Sequence, residues 1–337
     1  MSSVTLGLAE AELLAKNILV RHDTSEANAE CVARALVAAE ADGQKGHGLS
    51  RLPSYAAQAA SGKVDGHAVP TVEQVAAAAL RIDARNGFAF PALAVAVDRL
   101  ASLTAETGIA AAGVHRSHHF GQAGYHVEQL AKGGLIGLVF GNSPKAIAPW
   151  GGSEGVFGTN PIAFAVPRRS ESPLVIDLSL SKVARGKVMV AAKQGEPIPE
   201  GWALDRYGRP TTDAEAAMQG TMLPMGDAKG AALVLMVEIL AAALTGARFG
   251  FEASSFFTAE GEPPGVGQFL VAIDPQIFSG DAFSERLETL IGTILRQEGT
   301  RLPGARRLAL RAESAGDGVV IIATALHDEL QALSATV

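Results

Sequence analysis

The spacing of apolar and polar positions changes along the chain. In "SEANAECVARALVAAEADG", Val32, Leu36 and Ala39 recur at helical intervals, so a helix is predicted with Ser25 as its N-cap and Gly43 as its stop. The stretch before it reads as another helix. "RLPSYAAQAASGKVDG" reads as a short helix ending in a Gly-containing turn, and Pro70 then marks an extended linker. From about residue 75 the pattern shortens. "ALRIDARNG", "GIAAAGVH", "GLIGLVFGN", "IAFAVP" and "LVIDLS" are expected strands bounded by Gly, Asn or Pro, with helical patterns at 91–107 and 124–133 between some of them. The apolar run of 228–246 predicts a buried helix, "QFLVAID" a further strand, and 281–298 an amphipathic helix. Together these imply a helical N-terminal region, an α+β middle and a C-terminal helical segment that packs back on the first.

Composition narrows the class. The 337 residues suffice for two or three domains, and a hydrophobic share of 48 % can fill a substantial core. A net charge of −7 without a block of Lys or Arg argues against a nucleic-acid partner, which would require a basic footprint. Cys31 is the only cysteine, so neither an intrachain disulfide nor a Cys-based zinc site can form, which fits a reducing compartment. Glu10 and Glu12 interrupt what would be the core of a signal peptide. The most apolar run, 231–246, is short and broken by Glu238, so no membrane segment is expected and a cytoplasmic protein is.

Four stretches carry candidate chemistry. "GVHRSHHFGQAGYH" (113–126) packs half of the eight histidines into one strand-end loop. A metal reading would use His115, His118 and His119, but no H-E-x-x-H is present and no carboxylate lies between Thr107 and Glu128. Proton transfer is the alternative, with His119 favoured by its place just before a helix start; the others read as loop or surface residues. In "GQKGHGLSRLP", His47 and Arg51 lie about one helical turn apart, and an Arg there can clamp a carboxylate bidentately. "NSPKAIAPWGGSEGVFGTNPIAFAVP" (142–167) implies tight loops that expose backbone N–H groups, a generic setting for anions. Lys229 stands at a helix start, unfavourable for a cation unless an anion joins it, and "RLPGARR" sets Arg301, Arg306 and Arg307 around a Pro-Gly turn suited to phosphate or merely to solvent. No G-x-G-x-x-G follows a predicted strand and no Walker A pattern occurs, which argues against a Rossmann fold.

Taken together, "GHGLSRLPSY", "SHHFGQAGYH", "APWGG", "GTNPIAFAVP", "DLSLSKVARGK", "GEPIPEGWALDRYGRPTTD", "MGDAKGAALVLMVE" and "LPGARR" resemble the malate/L-lactate dehydrogenase family of NAD(P)-dependent oxidoreductases that lacks the Rossmann fold. The resemblance covers nearly the whole chain. It implies an α/β (α+β) fold: a non-Rossmann NAD(P)-binding domain with a mixed or antiparallel sheet, residues 76–275, plus a discontinuous helical domain, residues 1–75 joined by 276–337. It further implies a homodimer that binds NADPH, with NADH possible, and transfers a hydride to or from a carbon next to a carboxylate. Carried over by motif, His119 is the acid/base with His47 beside it, and Arg51 and Thr159 hold the substrate. Ser143, Asp177, Leu178, Ser179, Lys229, Arg301, Pro303, Gly304, Arg306 and Arg307 bind the cofactor, and no metal is implied. Ketimine reductases of this family tend to carry a Ser before the first His and a later Asp that acts with it; Gly46 and Lys187 stand at those places here. "SHHF", "LPGARR" and "LTGARFGFE" nonetheless favour reduction of Δ1-pyrroline-2-carboxylate to L-proline. A 2-hydroxy acid dehydrogenase acting on malate, lactate or sulfolactate is the alternative, and a catalytically silent binding protein on the same scaffold a more distant one.

Overall fold

The computed structural model describes residues 2–335. In chain order the elements are β1 (Ser3–Gly7), α1 (Leu8–Arg21), α2 (Glu26–Ala41), α3 (Leu52–Ala60), β2 (Thr71–Ala76), β3 (Ala79–Asp83), α4 (Ala89–Thr107), β4 (Ile109–Ser117), α5 (Ala123–Lys132) and β5 (Ile136–Gly141). Next come β6 (Ile162–Val166), β7 (Leu174–Leu178), α6 (Arg185–Gln194), β8 (Ala203–Leu204), β9 (Pro210–Thr211), α7 (Ala214–Gln219), β10 (Thr221–Met222) and α8 (Asp227–Glu238). The chain closes with β11 (Val266–Ile273), α9 (Pro275–Ser279), α10 (Ala282–Leu295), α11 (Ala305–Asp317), β12 (Val319–Ala323) and α12 (Thr324–Ala335).

The central sheet has seven strands in the order β2-β3-β4-β11-β5-β6-β7. Only β3 and β4 pair in parallel; every other neighbour in that sheet is antiparallel. That is a mixed α/β sheet and not the doubly wound parallel sheet of a Rossmann fold. Alternation explains the pairing. Along β4, Ala110, Ala112 and Val114 point inward beneath Leu93, Ala96 and Leu100 of α4 and Val127 and Leu130 of α5. Full burial of a Leu or Val contributes roughly 1.5–3 kcal/mol each, so this face holds both helices to the sheet.

A second core gathers α1, α2 and α3 around Ile18, Leu36, Leu52 and Tyr55, and the ribbon formed by β1 and β12 closes it with Leu330 of α12. A third core joins Ile147 and Leu180 to α6, α7 and the inner face of α8. Ser25 caps α2 by accepting from the Asn28 N–H at 3.4 Å, as its sequence suggests.

Three expectations need correction. The N-terminal residues begin with a strand, because β12 supplies an antiparallel partner nearly the whole chain away, which no local pattern can show. The linker after Pro70 includes β2, an edge strand paired to β3. The helix at 228–246 is not buried all round. It passes into a π turn at Ile239–Ala243, and Leu233, Leu235, Ile239 and Leu244 are exposed on it. Among the described residues no helix is long and apolar enough to cross a membrane.

Candidate active site

The site assembles where β4 ends. Pairing with β11 slips by one residue between Val266 and Gln268, a bulge that releases β4 from the sheet just before His118 and His119. Gln268 Nε2 then donates to the His118 carbonyl at 3.2 Å, fixing the turn from within the core. From the opposite side come two short 3₁₀ turns, Lys45–His47 and Leu49–Arg51, which lead into α3 with Pro53 in its first turn. The buried Glu40 carboxylate accepts from the Leu49 N–H at 3.1 Å and so ties the second turn to α2.

His119, Tyr55, His47 and Arg51 meet there. The rings of His47 and His119 stack with centroids 5.3 Å apart and planes 17° apart. Tyr55 Oη and His119 Nδ1 share a hydrogen bond of 2.5 Å, which leaves His119 Nε2 as the free ring nitrogen. Arg51 donates from Nε to the Gly46 carbonyl at 2.7 Å, and its guanidinium lies 4.5 Å over the Phe257 ring. Arg51 Nη1 and His47 Nδ1 are buried atoms without a hydrogen-bond partner. An unpaired buried donor on a cation costs free energy unless an acceptor meets it.

Electrostatics select neutral histidines. Burial, then the Arg51 charge, then His47 and His118 push His119 well below its ordinary value. Burial and Arg51 lower His47 to about 4. Burial, helped by Lys63 and Arg51, lowers His118 to about 3. A neutral His119 whose Nδ1–H is donated to Tyr55 Oη presents Nε2 as a proton acceptor. The remaining histidines have other work. His118 Nε2 bonds to Gln58 Oε1 at 2.7 Å and His126 Nε2 to the Phe120 carbonyl at 2.9 Å. Both are buried core residues and not the loop or surface residues expected, while His115 stays on β4, half-buried. Among the described residues no three His, Cys, Asp or Glu side chains are placed to hold a metal.

The residues expected to contact a cofactor fall into separate groups. Ser143 meets Thr159, which was expected at the substrate and not at the cofactor: Ser143 Oγ accepts from the Thr159 N–H at 3.1 Å. Asp177, Gly304 and Arg307 converge on the start of α5, where Asp177 Oδ2 accepts from the Gly124 N–H at 2.7 Å. A Cβ on Gly124 would come within 3.2 Å of Val175 and Asp177, and one on Gly304 would sit 3.0 Å from the Val175 carbonyl. Gly304 also holds φ at +75°, a left-handed conformation that glycine adopts without strain. Arg307 is largely committed elsewhere. It is buried and donates from Nη1 to Asp42 and Glu128, leaving only Nη2 without a partner. Leu178 and Ser179 lie exposed just past the Asp177 bond, and Ser179 Oγ shares a 2.8 Å bond with Ser181. The bridge between Ser181 and Pro224 leads from there to the first turn of α8 and the exposed Lys229. Arg301 and Pro303 are exposed on the loop before α11, and Arg306 is exposed in its first turn.

Sequence reasoning missed Tyr55, Gln58, Lys63, Phe256 and Phe257. Tyr55 was within reach, since it follows Arg51 by four residues on the same helical path. The two phenylalanines come from a loop about 200 residues away, and no spacing connects them to the histidines.

His119, held neutral by burial, thus stands beside the Arg51 guanidinium at the end of β4, next to a mixed sheet that is not of the Rossmann type. The chain matches the family described as Malate/L-lactate dehydrogenase over residues 7–331. It belongs to that family and is an oxidoreductase. It is 57 % identical over 327 residues, 97 % of each chain, to a (2R)-3-sulfolactate dehydrogenase (NADP(+)) of Chromohalobacter salexigens. It is 42 % identical over 322 residues, 95 % of this chain and 94 % of the other, to a Δ1-pyrroline-2-carboxylate/Δ1-piperideine-2-carboxylate reductase of Pseudomonas syringae pv. tomato. The crystal structure of a Δ1-piperideine-2-carboxylate reductase from Pseudomonas syringae superposes with a TM-score of 0.92 at 42 % identity, covering 98 % of this chain and 99 % of that one.

Proposed function

We propose that the protein is an NADP(H)-dependent 2-hydroxy acid dehydrogenase that interconverts (2R)-3-sulfolactate and 3-sulfopyruvate. The observation that carries this over imine reduction is the state of His47. Gly46 offers no hydroxyl beside it, Lys187 is exposed on α6, and His47 Nδ1 has no partner among the described residues, so the Ser-His-Asp arrangement of the ketimine reductases is not reproduced. The higher identity to the sulfolactate enzyme, 57 % against 42 %, points the same way.

Arg51 Nη1 takes the substrate carboxylate and sets the hydroxyl at C2 against His119 Nε2. In oxidation His119 accepts that hydroxyl proton, and the imidazolium formed keeps its Nδ1–H on Tyr55 Oη; in reduction the same proton returns to the carbonyl oxygen. Carboxylate binding offsets the Arg51 charge that depresses His119, so the ring becomes a stronger base once substrate is bound. When bound, the nicotinamide supplies the hydride acceptor for oxidation and the donor for reduction. Gly124 and Gly304 are closed off by Val175 and Asp177, and Arg307 Nη2 is buried, so the phosphates of such a dinucleotide fall to exposed groups nearby. The exposed Lys229, Arg301 and Arg306 supply cations for its phosphates, and Ser143, Thr159, Asp177, Leu178, Ser179 and Pro303 line its approach. A second copy of the chain covers the exposed apolar face of α8, giving a homodimer, and the lone half-buried Cys31 suits a cytoplasmic setting.

The test is NADPH oxidation with 3-sulfopyruvate, oxaloacetate, pyruvate and Δ1-pyrroline-2-carboxylate at equal concentration. A kcat/KM for sulfopyruvate at least about tenfold above the others supports the assignment, a margin worth about 1.4 kcal/mol of transition-state binding. The imine winning would move it to the second reading, ketimine reduction, which "SHHF" and "LPGARR" favour.

A further inference from the structure

Three side chains near the C-terminal end of α3 collect the carbonyl oxygens of one distant loop. Lys63 Nζ donates to Ser255 O at 2.8 Å, Thr258 O at 2.9 Å and Glu260 O at 2.8 Å. Gln58 Nε2 donates to Phe256 O at 2.8 Å, and Ser61 Oγ to Ala259 O at 3.1 Å. Five of the six carbonyls from 255 to 260 thus point inward at α3, and Lys63, 3 % exposed, sits at the centre. The loop has no helix or strand of its own there. With its carbonyls turned in, it sets the buried Phe256 ring against two histidines and the exposed Phe257 ring against Arg51. The Phe256 centroid lies 5.2 Å from His118 and 5.2 Å from His119, and Phe257 lies 4.5 Å beneath the Arg51 guanidinium.

We propose that Lys63 is the positioning residue of an aromatic wall in which Phe256 keeps water from His119 and Phe257 flanks Arg51, and that this wall restricts the site to compact 2-hydroxy and 2-keto acids. The proposal rests on His119 being the proton-transfer group. A spherical ammonium donates in three directions at once, which suits it to gather carbonyls that no strand partner satisfies. Each ring then occupies space beside a group that handles substrate. A substituent at C3 that cannot pass Phe256 is excluded, whereas a compact sulfonate or carboxylate arm is admitted.

A pH profile separates this role from simple support of the fold. His119 is faced by His47 and Arg51 from the 3₁₀ turns, by Tyr55 from α3, by His118 on its own loop and by Phe256 from the wall. The Lys63 charge acts on His118, and His118 in turn on His119, so the wall is isolated by Phe256→Ala, which leaves Lys63 in place, and by Lys63→Arg, which keeps the charge.

The experiment measures kcat/KM for sulfolactate oxidation against pH in wild type, Lys63→Met, Phe256→Ala and the double variant, with Tm recorded for each. Opening the wall relieves the burial that depresses His119, so the acid limb should move up by about one pH unit in both single variants. The double variant should move no further, because both changes remove the same wall. The ratio of kcat/KM for phenylpyruvate over sulfopyruvate should rise severalfold in each. Should Lys63→Met not fold, Lys63→Arg keeps the charge but cannot seat one ammonium among three carbonyls, and it should show the same limb shift. A Lys63 variant with the wild-type limb and ratio overturns the proposal, as do additive shifts in the double variant. An acid limb that persists in residual His119→Asn activity would instead overturn the reading of His119 itself.

Discussion

Two buried clusters hold arginines, and they are balanced in opposite ways. In the first, Arg307 and Arg311 meet Asp42 and Glu128: Arg311 Nε and Nη2 reach Asp42 at 2.6 and 2.7 Å, and Arg311 Nη1 reaches Glu128 at 2.5 Å. Gln122 Nε2 adds a bond to Asp42 at 2.9 Å. In the second, Arg51 has a carbonyl and an aromatic face but no carboxylate, and the histidines around it are held neutral. The first cluster is complete without a ligand and clamps α2, α5 and α11 together. The second carries a cation that no carboxylate of the fold neutralises, which is why the proposed function gives it the substrate's carboxylate. Burying charge is costly in both places, but only the first is compensated by the fold itself.

That contrast can be broken most sharply at His119. His119→Asn should lower kcat by about 10²–10⁴-fold, the usual value of a positioned acid/base, with Tm close to wild type. A kcat within twofold of wild type would remove His119 from the proton transfer. Glu128→Gln should do the reverse. Loss of one partner from a buried ion network costs roughly 3–5 kcal/mol, so denaturant unfolding should shift strongly while kcat of the folded enzyme changes little. An unfolding midpoint like that of wild type would mean the cluster is not a clamp.

Arg51→Gln comes next in size. It should raise KM for the acid by about tenfold or more, the worth of a charge-assisted hydrogen bond, with a stability cost limited to the Gly46 bond and the Phe257 contact, because no carboxylate is left behind. A destabilisation as large as that of Glu128→Gln would show that Arg51 is a structural cation and not one kept for a ligand. Acid titration of stability distinguishes the clusters again. His47 and His118 are depressed from 6.5 to about 4 and about 3, as is His126 to about 4 by burial. The unfolded chain therefore takes up their protons first, and stability should fall from about pH 6.5 downward, by at most about tenfold in the folding constant per group per pH unit. Burial works against the charged Glu128, but its bonds to Arg311 and the charges of Arg307 and Arg311 outweigh that and hold it at about 2. Its contribution, present above about pH 4.5, should be lost only as pH falls towards 2. The smallest effect is expected at Lys229. Lys229→Ala should raise KM for NADPH only a few-fold, as for an exposed cation at a helix start.

Legibility in the sequence followed the range of the interactions. The strands of the central sheet other than β2, and the helices between them, could be read because alternation and helical spacing act within ten or twenty residues, and so could the Ser25 cap. β1 was hidden because its partner β12 lies at the far end of the chain. His47, Arg51 and His119 could be picked out by residue type and motif. Their meeting, the Tyr55 bond and the wall of Phe256 and Phe257 depend on packing among three distant segments. Arg307 shows the limit of composition most clearly. In "LPGARR" it looks equivalent to Arg306, yet one faces solvent and the other is buried against Asp42 and Glu128, because α11 turns only one of two adjacent residues inward.

The most direct measurement is the titration of the His119 ring by ¹⁵N NMR, assigned by loss of the signal in His119→Gln, with and without the unreactive dianion sulfoacetate. We expect a pKa well below 6.5 in the free protein and a clear upward move when the anion sits on Arg51. An ordinary value in the free protein, or no response to the anion in wild type, would contradict the picture of a neutral base waiting beside an unpaired arginine.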